Sequence, residues 1–273
     1  MIKQGEIQQK ARQVGVRDQQ IEKDYILSWI LCGIAKHEQL SKIIVFKGGT
    51  VLKKIYFEDY RFSEDLDFTL LNVGISNEQI FEWFKETFAF ILEEANIPLE
   101  IIDPDSSSRG ENEDSSINFY ISYIGPLGGQ GNNKSVKIDI SRNEQLVFEP
   151  IMKAVFIAYS DLEDHQLCCY QLEEVLVEKM RSVMQRMQAR DFYDIWFLLE
   201  QHGMKLEFFW NEFESKCKNK ELNHLDFNKK LSERLPQYKG RWISSMRDQI
   251  KDLPDFDKVE REVQRHVKKL NIK

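Results

Sequence analysis

Apolar positions recur at helical spacing from the start of the chain to about residue 38, where Tyr25 and Ile26, Trp29 and Ile30, and Cys32 and Gly33 give IEKDYILSWILCGI a wide apolar face. The pattern then shortens. IIVFK (43–47) is a β-branched run ending at Gly48-Gly49, which predicts a strand entering a turn, with Thr50 placed to cap a helix over VLKKIYF. DLDFTLL (65–71) predicts a second strand, and Asn77 opens an amphipathic helix to about Ala95 with Ile80, Phe81, Phe84, Phe88, Ile91 and Leu92 on one side. LEII after Pro98, INFYISYI (117–124) and SVKIDIS (135–141) predict three more strands. Between them, DPDSSSRGENEDSS (103–116) predicts a polar loop and GPLGGQGNN (125–133) a hairpin connection.

From Tyr170 the period changes to almost pure helix. Leu172, Val175, Leu176, Met180, Val183, Met184 and Met187 form a stripe that suits a helix core, and RDFYDIWFLLEQHG (190–203) predicts a second helix closing at Gly203. Further helical patterns cover 205–218, 226–235, 239–251 and 255–270. The expected fold class is α+β: a mixed sheet flanked by helices over residues 1–160, followed by an α-helical bundle domain over 161–273.

Strand periodicity gives the polar positions a meaning. Residues two apart in a strand share a face, so Asp65 and Asp67 point one way while Leu66 and Phe68 point into the core. SVKIDIS repeats this with Lys137 and Asp139 opposite Ile138 and Ile140. Two like charges side by side repel, so a cation is expected between them. Three carboxylates from neighbouring strands suit Mg²⁺ or Mn²⁺, and such ions hold a triphosphate and activate a hydroxyl. Gly48-Gly49-Thr50 falls at a strand-to-helix turn about fifteen residues earlier, where backbone N–H groups can meet phosphate; GxxxxGK[ST] is absent. Arg61 either touches phosphate or pairs with Glu64, Ser63 either faces the phosphates or caps a turn, and Lys137 either neutralises triphosphate or pairs with Asp139.

Composition narrows the class. The 273 residues are 42% hydrophobic and 12% aromatic, enough for a real core, and no stretch approaches the ~20 apolar residues of a membrane span. Cys32, Cys168, Cys169 and Cys217 show no metal spacing, with Cys168-Cys169 at the edge of a helical pattern; reduced thiols in a cytoplasmic protein are expected. Residues 161–273 hold 21 basic and 21 acidic side chains, leaving 17 against 24 in residues 1–160. An acidic first part argues against a general nucleic-acid coat and suits a metal site. The five histidines form no ligand spacing or triad.

KGGTVLKKIY, RFSEDLDF, VKIDIS and LVEKMRSVMQRMQARDFYDIWFLL, in this order over residues 47–199, together resemble the AbiEii/AbiGii abortive-infection toxins of the polymerase-β-like nucleotidyltransferase superfamily. EKDYILSWIL (22–31) is similar to that family's N-terminal helix. The resemblance implies a metal-dependent enzyme that moves a nucleoside monophosphate from a nucleoside triphosphate to an RNA acceptor, the 3′ end of tRNA being the expected one, and a cognate antitoxin. It implies metal ligands at Asp65, Asp67 and Asp139, and a nucleotide site at Gly48, Gly49, Thr50, Lys53, Ser63 and Lys137. It also raises Lys179 and Asp191 to candidate catalytic residues lining the cleft, with Arg190 as a basic neighbour Asp191 could hold, above the alternatives of a solvated helix face pairing Lys179 with Glu174 or Glu178 and of an N-cap role for Asp191. Lys53-Lys54 stands where many relatives carry arginine, which leaves a point charge without a bidentate fork. Nucleotidylation of a protein hydroxyl, and a non-catalytic nucleotide- or partner-binding module, are the alternatives on the same fold.

Overall fold

The computed structural model describes residues 1–102, 116–129 and 134–270. Most of the polar stretch 103–116 and the end of GPLGGQGNN lie outside the described residues. The chain divides into two compact units, one of Met1–Glu144 with Pro150–Cys169, the other of Gln145–Glu149 with Tyr170–Lys273.

The first unit is built on a seven-stranded mixed sheet. In chain order its strands are β1 (Ile44–Lys47), β2 (Asp65–Leu70), β3 (Leu99–Ile102), β4 (Ser116–Tyr123), β5 (Ser135–Ser141), β6 (Ile151–Ala154) and β7 (Gln166–Cys169), and they lie in the order β3-β4-β5-β2-β1-β7-β6. The centre of the sheet is β2, antiparallel to β1 and parallel to β5. Alternation behaves as expected: Leu66, Phe68, Val136, Ile138 and Ile140 are buried, whereas Asp65, Asp67, Lys137 and Asp139 are only partly covered. The last two strands were not legible from the sequence. Cys168-Cys169 sits in β7, not at the edge of a helix, because the parallel pairing of Phe46 with Cys169 recruits a four-residue run too short to show a period.

Helices α1 (Gln4–Val14) and α2 (Asp18–Lys36) replace the single expected opening helix. Gly15, at φ 73°, takes the left-handed conformation that ends α1. α3 (Leu40–Ile43) leads into β1, and α4 (Gly48–Val51) continues as a π-turn over Leu52–Tyr56. α5 (Asn77–Ala95) begins at Ser76, whose hydroxyl accepts from the Gln79 N–H. Its Phe84 ring meets Phe119 of β4 edge-on at 5.1 Å, which closes the apolar face of the sheet. Leu92, expected on the buried side, is 47% exposed. α2 crosses α5 closely at Gly33, where a Cβ would stand 2.6 Å from Thr87 Cγ2.

The second unit is helical: α6 (Leu172–Gln185), α7 (Ala189–Trp196, extended by a π-turn through Gln201), α8 (Trp210–Asn219), α9 (Phe227–Met246) and α10 (Phe256–Lys269). The two expected helices at 226–235 and 239–251 are one, running through Pro236. Buried Leu231, Tyr238, Trp242 and Met246 carry its apolar stripe across the proline. Met187 falls beyond α6 and is 41% exposed, so it is no part of the stripe.

Candidate active site

The candidate residues meet on one face of the central sheet because of a register match. In the parallel pair β2–β5, Asp65 stands opposite Lys137 and Asp67 opposite Asp139. Directly paired residues share a face, so four charged side chains form a two-by-two patch. On the other side of β2, Lys47 of β1 is in register with Asp67, and in the antiparallel pair β4–β5 Asn118 is in register with Asp139. One row therefore runs Lys47, Asp67, Asp139, Asn118 across four strands.

Lys47 is the residue that sequence reasoning passed over. It is only 5% exposed, and its ammonium donates to Ser141 Oγ at 2.9 Å, which carries the charge from β1 across β2 to β5. The available signal was its place at the end of β1, two strands from Asp139. Lys137 lies 3.5 Å from Asp139 Oδ2 with both side chains about a third exposed, an ion pair of small worth in water. The two lysines give this carboxylate face protein-borne positive charge.

The glycine turn is shaped around Asp67. Gly48 has φ 79°, and a Cβ there would lie 2.2 Å from Asp67 Oδ2. Glycine is thus required twice, for the backbone angle and for the approach of the carboxylate. Thr50 does not cap the helix as expected: α4 has no side-chain cap, and the Thr50 hydroxyl donates to the Asp65 carbonyl at 2.6 Å. That bond ties the turn to the strand that carries both aspartates. Gly49 and Thr50 are buried, and so is Ser63, in the segment leading into β2.

The two lysines after the turn are used differently. Lys53 donates to the Glu58 and Tyr60 carbonyls at 3.0 and 3.1 Å, and its ammonium lies 4.2 Å from the centre of the Phe62 ring. An ammonium has three donors, and these two carbonyls take two of them. Burial pushes its pKa down, against the pull of Asp24. Lys54 is fully buried and bonds Asp24 Oδ2 at 2.8 Å, Ser28 Oγ at 2.8 Å and the Asp24 carbonyl at 3.2 Å. Its donors are all spoken for.

Asp65, Asp67 and Asp139 are oxygen donors on two adjacent strands, the donor type a hard divalent cation takes, with no sulfur or imidazole among them. Among the described residues, no three His, Cys, Asp or Glu side chains stand together as a ready-made ligand cluster.

In the second unit, Lys179 of α6 lies buried between Asp191 Oδ1 at 2.7 Å and Asp194 Oδ2 at 2.8 Å, both on α7. Asp191 is not an N-cap, since that position is Gln188. Its basic neighbour is Arg186, whose Nε donates to Asp191 Oδ2 at 2.7 Å. Burial alone would raise the Asp191 pKa; the charges of Lys179 and Arg186 overcome it and hold the carboxyl below the usual value. On the same helix as Lys179, Glu174 pairs with buried Lys216, and Glu178 with Arg181.

The family model for the nucleotidyl transferase AbiEii toxin, of type IV toxin–antitoxin systems, matches residues 29–262. The chain belongs to this family. Among solved structures it is similar to MenT4, a nucleotidyltransferase toxin from Mycobacterium tuberculosis, with a TM-score of 0.59 and 16% identity over 97% of this chain and 88% of that one. JHP933 from Helicobacter pylori is similar too, with a TM-score of 0.56 and 18% identity over 93% of this chain and 94% of that one. At these identities the two structures speak for the fold. No curated protein matches. Among the described residues no helix is long and apolar enough to cross a membrane, and all four cysteines are free thiols.

Proposed function

We propose that this chain is a metal-dependent nucleotidyltransferase toxin that transfers a nucleoside monophosphate from a nucleoside triphosphate to the 3′ hydroxyl of an RNA, with tRNA as the acceptor. It acts in the cytoplasm and is held in check by a cognate antitoxin. The observation that carries this reading is the β2–β5 register, which sets Asp65 and Asp67 beside Lys137 and Asp139, with the glycine turn closed on Asp67.

The chain's own residues divide the work. Backbone N–H groups at Gly48–Thr50 meet the phosphates at the start of a helical turn. Lys137 neutralises charge on the triphosphate, Lys53 adds its remaining donor at the edge, and Ser63 offers a hydroxyl beside them. Asp65, Asp67 and Asp139 would hold a divalent cation, Mg²⁺ or Mn²⁺, which would supply charge neutralisation at the triphosphate and make the attacking hydroxyl more acidic. Asp139 also orients the acceptor hydroxyl. Its oxygen bonds to the α-phosphorus, the bond to the β-phosphate oxygen breaks, pyrophosphate leaves, and the hydroxyl proton passes to solvent. Lys179 and Asp191 serve by holding α6 to α7.

Inducible expression tests the reading. Wild-type chain arrests growth, and Asp65→Asn or Asp67→Asn abolishes the arrest with a folded, equally abundant protein. Equal arrest by wild type and both variants would remove the carboxylate face from the function.

A further inference from the structure

The segment Glu22-Lys23-Asp24 is charged throughout, lies near the start of a buried helix, and precedes the residues matched by the family model. Glu22 is fully buried and Asp24 2% exposed. Burying carboxylates is costly unless each is paired, so each needs a reason. Each of the three side chains fastens a different piece of chain.

Glu22 accepts the Leu127 N–H at 2.8 Å and pairs with Lys134 at 3.0 Å. Gly125 lies so close that a Cβ there would stand 2.6 Å from Glu22 Oε1. Glu22 thus grips both ends of the connection from β4 into β5, the strand of Lys137 and Asp139. Lys23 lies 3.7 Å from Glu64, the residue before Asp65. Asp24 takes Lys54 at 2.8 Å and the Tyr159 hydroxyl at 2.8 Å, and so holds the π-turn that continues from Gly48–Val51. Consecutive helix residues point about 100° apart, so three in a row reach three separate neighbours.

We propose that Glu22, Lys23 and Asp24 are positioning residues for nucleotidyl transfer, each setting one of the three segments that carry the site: the β4–β5 connection, the approach to β2, and the glycine turn with its π-turn. The proposal rests on the function given above, and none of the three touches substrate in it.

The experiment uses the full chain with Glu22→Gln, Lys23→Met and Asp24→Asn, read by thermal melting, by hydrogen exchange and by steady-state transfer from ATP, GTP, CTP and UTP to total RNA. Exchange is expected to speed about tenfold in 125–129 with Glu22→Gln and in 48–56 with Asp24→Asn, and about threefold in 62–66 with Lys23→Met, each variant leaving the other two segments within about twofold. Lys23→Met melts with wild type, because a partly exposed ion pair contributes little. It should nonetheless lose roughly fivefold in kcat with KM nearly unchanged, and because it melts with wild type a smaller folded fraction does not account for that loss. Asp24→Asn leaves Lys54 buried without its counter-charge; if that variant does not fold, the double Asp24→Asn, Lys54→Met, which removes both charges, is measured in its place. Unchanged exchange, a rise spread evenly over the first unit, or wild-type kcat in a folded Lys23→Met would each overturn the proposal. If wild type transfers nothing, the proposed function falls and with it the role in transfer, while the exchange arm still decides whether α2 sets the three segments.

Discussion

Gly48 and Lys47 are adjacent in sequence: Gly48 lies against the Asp67 carboxylate, and Lys47 stands in strand register with Asp67. Gly48 lets the backbone pass over Asp67, so Gly48→Ala must adopt a left-handed angle that costs a β-carbon about 1–2 kcal/mol, and must also push the carboxylate aside. The expected result is a modest loss in melting temperature with a much larger loss of nucleotide binding, read by titration with each triphosphate. Lys47 is the buried cation in register with Asp67. Replacing it with methionine keeps the stem's packing but leaves the aspartates without that positive charge. Lys47→Met should lower triphosphate affinity about tenfold or more, since a charged buried contact is worth more than ~1.5 kcal/mol. Affinity equal to wild type would show that Lys47 has no part in binding the triphosphate. The aspartates were visible in the sequence because strand alternation is local; Lys47 was not, because its reach across β2 depends on strand order.

At the scale of elements, the α6–α7 pair stands on the buried charge cluster of Lys179, Asp191 and Asp194. Lys179→Met leaves two buried carboxylates with reduced compensation and should destabilise the protein by about 3–5 kcal/mol, measured by denaturant unfolding. The pH dependence has a definite sign. Asp191 and Asp24 both titrate below the ordinary aspartate value of 3.8 when folded. Their stabilisation is therefore complete above that value and is lost as pH falls through the lowered folded values. Stability that fell between pH 7 and 5 in wild type, but not in Asp191→Asn, would contradict this assignment. The helices and central strands were legible because their periods run over many residues. β6 and β7 are four residues each and owe their strand form to neighbours far away in sequence, and α9 runs through a proline that reads locally as a break.

Across the whole molecule, family membership rests on 234 matched residues from 29 to 262, while the proposed chemistry rests on one sheet face in the first unit. Sequence spacing made the three aspartates candidates; only the parallel β2–β5 register places Asp139 opposite Asp67 and not two residues away. The direct measurement incubates purified wild type and Asp67→Asn with total RNA, Mg²⁺ and each α-labelled nucleoside triphosphate in turn, then resolves RNA and protein. The account predicts label in tRNA-sized RNA with wild type, and its loss with Asp67→Asn or with a chelator. Label carried equally by both proteins, or found in protein and absent from RNA, would contradict it.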